Sequence, residues 1–293
     1  MTQIITALSD IAADYDALLC DLWGCLHDGV TAFPAAVAAL QGFRAAGGTV
    51  LLVTNSPRPK REVMTQLEAL GAPRDCYDEI ASSGDSAQAA MVRGVVGRKV
   101  FHLGPARDIP FFTDLAEDLR DAPPIERVPL DEAEGIVCTG LYNDETDTPE
   151  EYRGTFLSAK ARGLKLLCAN PDIVVDRGHK RVYCAGALAQ LYTEMGGQSL
   201  YFGKPHPPIY DLALTRLAAL RDVQRDRILA IGDGPATDIA GAMGEGFDSV
   251  FVSGGLAAET TGTPPGGQPD PALLEAYLAE QKIAPRFSMG FMR

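Results

Sequence analysis

The six cysteines of this chain (Cys20, Cys25, Cys76, Cys138, Cys168 and Cys184) contain no CxxC pair, so the usual signatures of a zinc cluster or a disulfide framework are missing. Several sit inside apolar runs such as LKLLCAN and GIVCTG, which read as buried free thiols. There is no apolar stretch of about 18 residues, and Met1–Ala7 lacks the basic region and apolar run of a signal peptide. No membrane association and a cytoplasmic address are therefore expected. Positive charge is scarce: 26 Lys+Arg stand against 39 Asp+Glu, a formal net charge of −13. That balance disfavours nonspecific attraction to nucleic acid or anionic lipid, and a small anionic substrate must meet a locally positive site. A GxxxxGK[ST] phosphate loop is also lacking. Gly232–Asp238 reads GxGxxT with Pro235 in its turn, not the GxGxxG of a dinucleotide site.

What is present is ordinary globular material, 293 residues with 46% hydrophobic and 22% charged side chains, enough for a large α/β domain carrying an insertion. Short apolar runs at 17–23, 49–55, 199–203, 227–233 and 249–255 alternate with helical patterns, which implies a parallel sheet. Pro34 opens a helix whose Val37, Leu40 and Phe43 share a face, and Gly47-Gly48 stops it. A second helix, about 58–70, ends at Gly71. Residues 84–182 carry their own cycle: helices near 85–93, 111–120 and 149–162 interleaved with KVFHLG, GIVCTG and LKLLCAN. The division expected is a core of 1–83 and 183–293 with an inserted α/β domain at 84–182. Thr260–Pro271 reads as a loop before an amphipathic helix.

In a doubly wound sheet, ligands collect beyond the carboxyl ends of the strands. Four such ends carry polar groups: Asp21-Leu22-Trp23-Gly24, Thr54-Asn55-Ser56, Gly203-Lys204-Pro205 and Gly232-Asp233-Gly234-Pro235-Ala236-Thr237-Asp238. Converging carboxylates repel one another unless a cation sits between them, and an all-oxygen site suits Mg2+. The Lys204 amine can offset remaining negative charge. Thr54 and backbone N–H groups can hydrogen-bond phosphoryl oxygens, and Asp21 is left as a nucleophile. The ordinary alternatives are a helix cap for Asp21 and a solvated lysine for Lys204.

This order of motifs resembles the haloacid-dehalogenase-like (HAD) superfamily over roughly residues 15–256. The TNS after the second run, GKPHPPIY and GDGPATDIAGA resemble its class IIA branch, which includes nitrophenyl-phosphate, pyridoxal-phosphate and nucleotide phosphatases. The resemblance implies a doubly wound, Rossmann-like parallel-sheet core with an inserted α/β cap at 84–182. It implies Asp21 as nucleophile and metal ligand, the Trp23 carbonyl and Asp233 as further ligands, and Asp238 supporting the metal's water shell. Thr54, Asn55 and Lys204 would bind the phosphoryl group of a small phosphorylated metabolite, through an aspartyl-phosphate on Asp21. Asn143, Asn170 and Asp172 of the cap are candidate substrate contacts, and each has a loop-capping alternative. The oligomeric state is open, a homodimer included.

One departure matters. The family's phosphatases carry Asp two residues after the nucleophile, where it protonates the leaving oxygen, and this chain has Trp23. His27, Asp28 and His206 are the nearest stand-ins by sequence, although His27-Asp28-Gly29 also reads as a turn. Acid–base assistance contributes about 10²–10⁴ in rate, so better turnover on aryl or acyl than on alkyl phosphates is expected. The aromatic at position 23 also suggests a metal-independent 2-haloacid dehalogenase, disfavoured by Asp233 and Asp238. A weakly catalytic phosphate-binding protein is the third alternative. Arg177, His179, Lys180 and Arg181 form a basic cluster that reads as a solvated face or an anion attractor.

Overall fold

The computed structural model describes residues 2–177 and 180–293, with the side chain of Asp118 outside that set. The chain divides into two compact units, one of 1–54, 64–81 and 210–293 and the other of 55–63 and 82–209. The first is built on a seven-stranded sheet. Its spatial order is β1 (Gln3–Ile4), β14 (Phe287–Met289), β13 (Asp248–Val252), β12 (Ile228–Gly232), β2 (Ala17–Cys20), β3 (Thr49–Thr54) and β4 (Glu79–Ser82). From β1 across to β3 every pairing is parallel. All residues of β2, β3 and β12 are buried, as strands covered on both faces must be, which is why they read as unbroken apolar runs rather than alternating ones.

Between β2 and β3 the helix Pro34–Ala45 presents Ala36, Leu40 and Phe43 inward and ends before Gly47, whose φ of 93° only glycine adopts without strain. Near the C-terminus Asp270 caps the helix Pro271–Gln281, its Oδ1 accepting the N–H groups of Ala272 and Leu273 at 2.9 and 3.0 Å. Leu274 and Leu278 of that helix pack with Phe251 and Ile239.

The second unit has a five-stranded parallel sheet, in order β11 (Gln198–Tyr201), β8 (Lys165–Cys168), β7 (Gly135–Cys138), β5 (Lys99–Leu103) and β6 (Glu126–Arg127). Side chains alternate across it. Ile136, Cys138, Leu166 and Cys168 join one apolar cluster with Phe156 and Leu188, while Val137, Leu167 and Val100 join the other with Met91 and Phe111. This period of two with helices on both faces makes the unit a doubly wound layer structure in its own right. A hairpin, β9 (Val174–Arg177) with β10 (Lys180–Tyr183), completes it.

Three local features differ from the sequence reading. The run 199–203, grouped there with the first sheet, supplies β11 and pairs with β8 instead, because a short apolar strand carries no label for the sheet it joins. The helix expected at 111–120 is limited to Pro110–Thr113, followed by a separate 3₁₀ turn at Glu117–Leu119. Gln88 Nε2 takes the carbonyls of Phe111 and Asp114 at 2.8 and 3.2 Å, so oxygens that a longer helix would use are bonded elsewhere. The strand β14 and the hairpin had no counterpart in the sequence reading.

Candidate active site

In the first unit the strand register decides what meets what. Cys20 of β2 pairs with Leu52 of β3 and with Ile231 of β12, and the Asp21 N–H donates to the Ile231 carbonyl at 2.8 Å. Asp21, Asp233 and Thr54 therefore leave the carboxyl ends of three adjacent strands. All three are buried, at 8%, 6% and 6% exposure. Oxygens of Asp21 and Asp233 and the Cys25 Sγ lie within 4.8 Å of one another. Two carboxylates so close and so poorly hydrated repel one another, and a cation between them or a shared proton relieves that repulsion.

The backbone around Asp233 explains Gly24. A Cβ there would stand 2.1 Å from Asp233 Oδ2, and Gly24 has φ of 77°. Only glycine lets the loop after β2 pass this close to the carboxylate. The Leu256 N–H reaches the same Oδ2 at 3.3 Å. Asp238 lies within a single π turn, Pro235–Ile239, and its Oδ2 accepts the Gly234 N–H at 3.0 Å. That contact braces the loop that carries Asp233. π turns recur at functional sites, where the extra residue re-aims a side chain.

Trp23 occupies the loop after β2, its ring 5.2 Å from that of His27 and edge-on to it. A Cβ on Gly29 (φ 83°) would meet the indole at 2.4 Å. Of the nearby stand-ins for a proton donor, His27 and Asp28 are held in the turn after β2. His27 is 2% exposed, its Nδ1 accepts the Gly29 N–H at 3.0 Å, and burial pushes its pKa down to about 4. Asp28 Oδ1 accepts the N–H groups of Val30 and Thr31, both at 2.8 Å, and these bonds hold its carboxyl below the usual range. That is a turn former. His206, in the second unit, stacks on Tyr201 at 4.9 Å and 10°.

The remaining predicted residues belong to the second unit. Asn55 is a hub: its Oδ1 accepts the Lys204 N–H at 2.7 Å, and its Nδ2 donates to the Lys204 carbonyl at 3.1 Å and to Asp172 Oδ1 at 2.8 Å. Asn55, Lys204 and Asp172 are thus drawn together, with Lys204 4% exposed. Asn170 Oδ1 accepts the Asp172 N–H at 3.0 Å, and Asn143 Oδ1 accepts the Glu145 N–H at 3.0 Å. Both amide oxygens cap their own loops. At the neighbouring strand ends His102 meets Thr139 at 2.9 Å, and burial raises the Asp108 carboxyl.

The basic cluster is locally neutralised. Arg177 pairs with Asp144 at 2.8 Å and with Glu145, Lys180 with Glu145, and Arg181 with Asp176. His179 lies outside the described residues. Among the described residues no helix is long and apolar enough to cross a membrane, and all six cysteines are free and buried. The residue that sequence reading missed is Cys25. Its only signal was its place next to Gly24 in the loop that carries the nucleophile candidate.

Known proteins resemble this chain in sequence and in fold. Residues 18–116 match the model of the haloacid dehalogenase-like hydrolases and residues 201–284 that of HAD-hydrolase-like proteins. A crystal structure of a haloacid dehalogenase-like hydrolase from Brucella suis 1330 is 41% identical, covers 99% of this chain and 100% of its own, and has a TM-score of 0.86. A p-nitrophenyl phosphatase from Archaeoglobus fulgidus shares the fold at 22% identity and a TM-score of 0.69, covering 95% of this chain and 97% of its own. Dihydroxyacetone phosphatase from Corynebacterium glutamicum (strain R) is 28% identical over 96 residues, 32% of this chain and 34% of that protein. The match spans about a third of that relative's length.

Proposed function

The chain belongs to the haloacid dehalogenase-like hydrolase family, and from that premise we propose that it is a Mg2+-dependent phosphatase of a small phosphorylated metabolite. The observation that carries the reading is the buried meeting of Asp21 and Asp233 at the ends of neighbouring strands. Two buried carboxylates offering oxygen ligands to one point are a fitting donor pair for a hard divalent cation. When bound, Mg2+ supplies the positive charge that offsets both carboxylates and draws in phosphoryl oxygens.

The residues of the chain do the rest. Asp21 attacks phosphorus in line, the ester oxygen leaves with its bonding pair, and water then cleaves the aspartyl-phosphate to return the carboxylate and release phosphate. Thr54 and Lys204 hold phosphoryl oxygens, and Asn55, bonded to both backbone groups of Lys204, orients that lysine. The inserted cap at 84–182 would select the substrate through the loops of Asn143, Asn170 and Asp172. Six free cysteines support a reducing, cytoplasmic compartment.

With Trp23 at the usual position of the acid, and with His27 and Asp28 engaged as described, the leaving oxygen departs with little proton assistance. Aryl and acyl phosphates, whose leaving groups are stable anions, are then favoured over alkyl phosphates by about 10²–10⁴ in kcat/KM. The test is a panel of phosphate esters and 2-haloacids with and without Mg2+, run on the wild type and on Asp21→Asn. Mg2+-dependent phosphate release abolished in Asp21→Asn is expected. Dehalogenation that needs no metal, or phosphate binding with no Asp21-dependent turnover, would replace this reading.

A further inference from the structure

Asp21 and Asp233 converge with a third donor that the reaction above does not use. Cys25 Sγ is within 4.8 Å of oxygens of both carboxylates, and the residue is 1% exposed. The sulfur makes no hydrogen bond among the described residues. The other thiol nearby behaves differently: Cys20 Sγ contacts the Asp21 carbonyl at 3.1 Å and Met292 Sδ at 3.8 Å. Only Cys25 therefore brings an uncommitted sulfur to the carboxylate pair. Donors sharing one zinc ion stand about 3–4.5 Å apart, since the bonds are about 2.0–2.3 Å long. The observed set closes on an ion with small side-chain movements.

We propose that Cys25 Sγ is a ligand for thiophilic divalent cations such as Zn2+ and Cd2+, which this site binds through Asp21, Asp233 and Cys25 in preference to Mg2+. The inference rests on the reading that Asp21 and Asp233 hold a divalent cation. Its chemistry follows from ligand softness. Mg2+ is hard, takes oxygen ligands, and leaves the thiol protonated and outside its shell. A borderline or soft cation gains a sulfur ligand that ordinary oxygen-only sites lack. On binding, the S–H bond of Cys25 breaks, its electron pair forms the S–metal bond, and the proton passes to buffer. Occupied in this way, the site keeps Asp21 bound more tightly and holds a cation that competes with Mg2+.

The test is cadmium titration of the full chain, read by the near-ultraviolet thiolate-to-metal charge-transfer band and by calorimetry. Wild type, Cys25→Ser, Cys25→Ala and Asp233→Asn are compared, with thermal melting as the check on folding. One equivalent of Cd2+ should produce the band in wild type. Both Cys25 variants should lose the band and at least about tenfold in Cd2+ affinity while Mg2+ affinity changes less than about twofold. Cadmium NMR of the unmutated protein, where thiolate ligation shifts the resonance downfield, keeps the test independent of the variants. Cd2+ binding by wild type with no charge-transfer band and no thiolate-shifted resonance overturns the role of Cys25 and leaves the phosphatase reading intact. Binding of neither Mg2+ nor Cd2+ overturns both, as does unchanged affinity for both cations in Asp233→Asn.

Discussion

At the scale of single residues, His27 and Gly24 make the sharpest predictions. His27 has a folded pKa of about 4 against 6.5 for the ordinary group, because burial disfavours the imidazolium. The unfolded chain therefore takes up a proton first as the pH falls. Stability from this residue is complete above about pH 6.5, declines through the window down to about 4, and the total loss is about 3 kcal/mol. Urea midpoints measured at pH 7 and pH 5 should fall for wild type and fall less for His27→Gln. Equal slopes would show that the ring is not buried and neutral. Gly24→Ala places a methyl on Asp233 Oδ2. It should lower kcat by about 10²–10³, comparable with loss of one preorganised transition-state contact, while circular dichroism stays native. Retention of activity would remove the close approach from the account. Both residues lie in a stretch, DLWGCLHDG, whose chemistry was partly legible: Asp21 was, whereas the engagement of His27 and Asp28 in a turn depended on backbone N–H directions that a sequence does not display.

Elements answer to packing and capping. Ile136, fully buried in the middle of β7, faces the cluster of Phe156 and Leu188. Ile136→Ala should cost about 2–5 kcal/mol by transfer and cavity terms together, measured by chemical denaturation. A loss under about 1 kcal/mol would mean the layer is looser than its burial indicates. Asp270→Ala removes the two capping bonds of Pro271–Gln281 and should cost about 1 kcal/mol, visible as a small drop in the urea midpoint. The helices at Pro34–Ala45 and Pro271–Gln281 were legible because caps and stops are local. The shortened helix after Pro110 was not, since the group that takes its carbonyls, Gln88, is more than 20 residues away in the chain.

For the whole molecule, the net charge of −13 makes copies repel one another at neutral pH, and the sequence pI is about 4.7. Near that pH the mutual repulsion vanishes within the window where His27 also withdraws its contribution. Light scattering should rise sharply between about pH 5 and 4.5, reversibly on return to pH 7. A chain that stays monodisperse there would show that surface charge is not what keeps it dispersed.

Composition, strand-end motifs and helix stops follow from neighbours in the chain, so the sequence by itself determined a parallel α/β fold, two cycles of strands and helices, and Asp21, Thr54, Lys204 and Asp233 as strand-end residues. Tertiary structure alone decided which sheet the run at 199–203 joins, that β14 closes the first sheet beside β1, and that a thiol stands with two carboxylates. The physical reason is register. Pairing of β2 with β12 sets which side chains share an edge, and that pairing is fixed by packing across more than 200 residues of intervening chain.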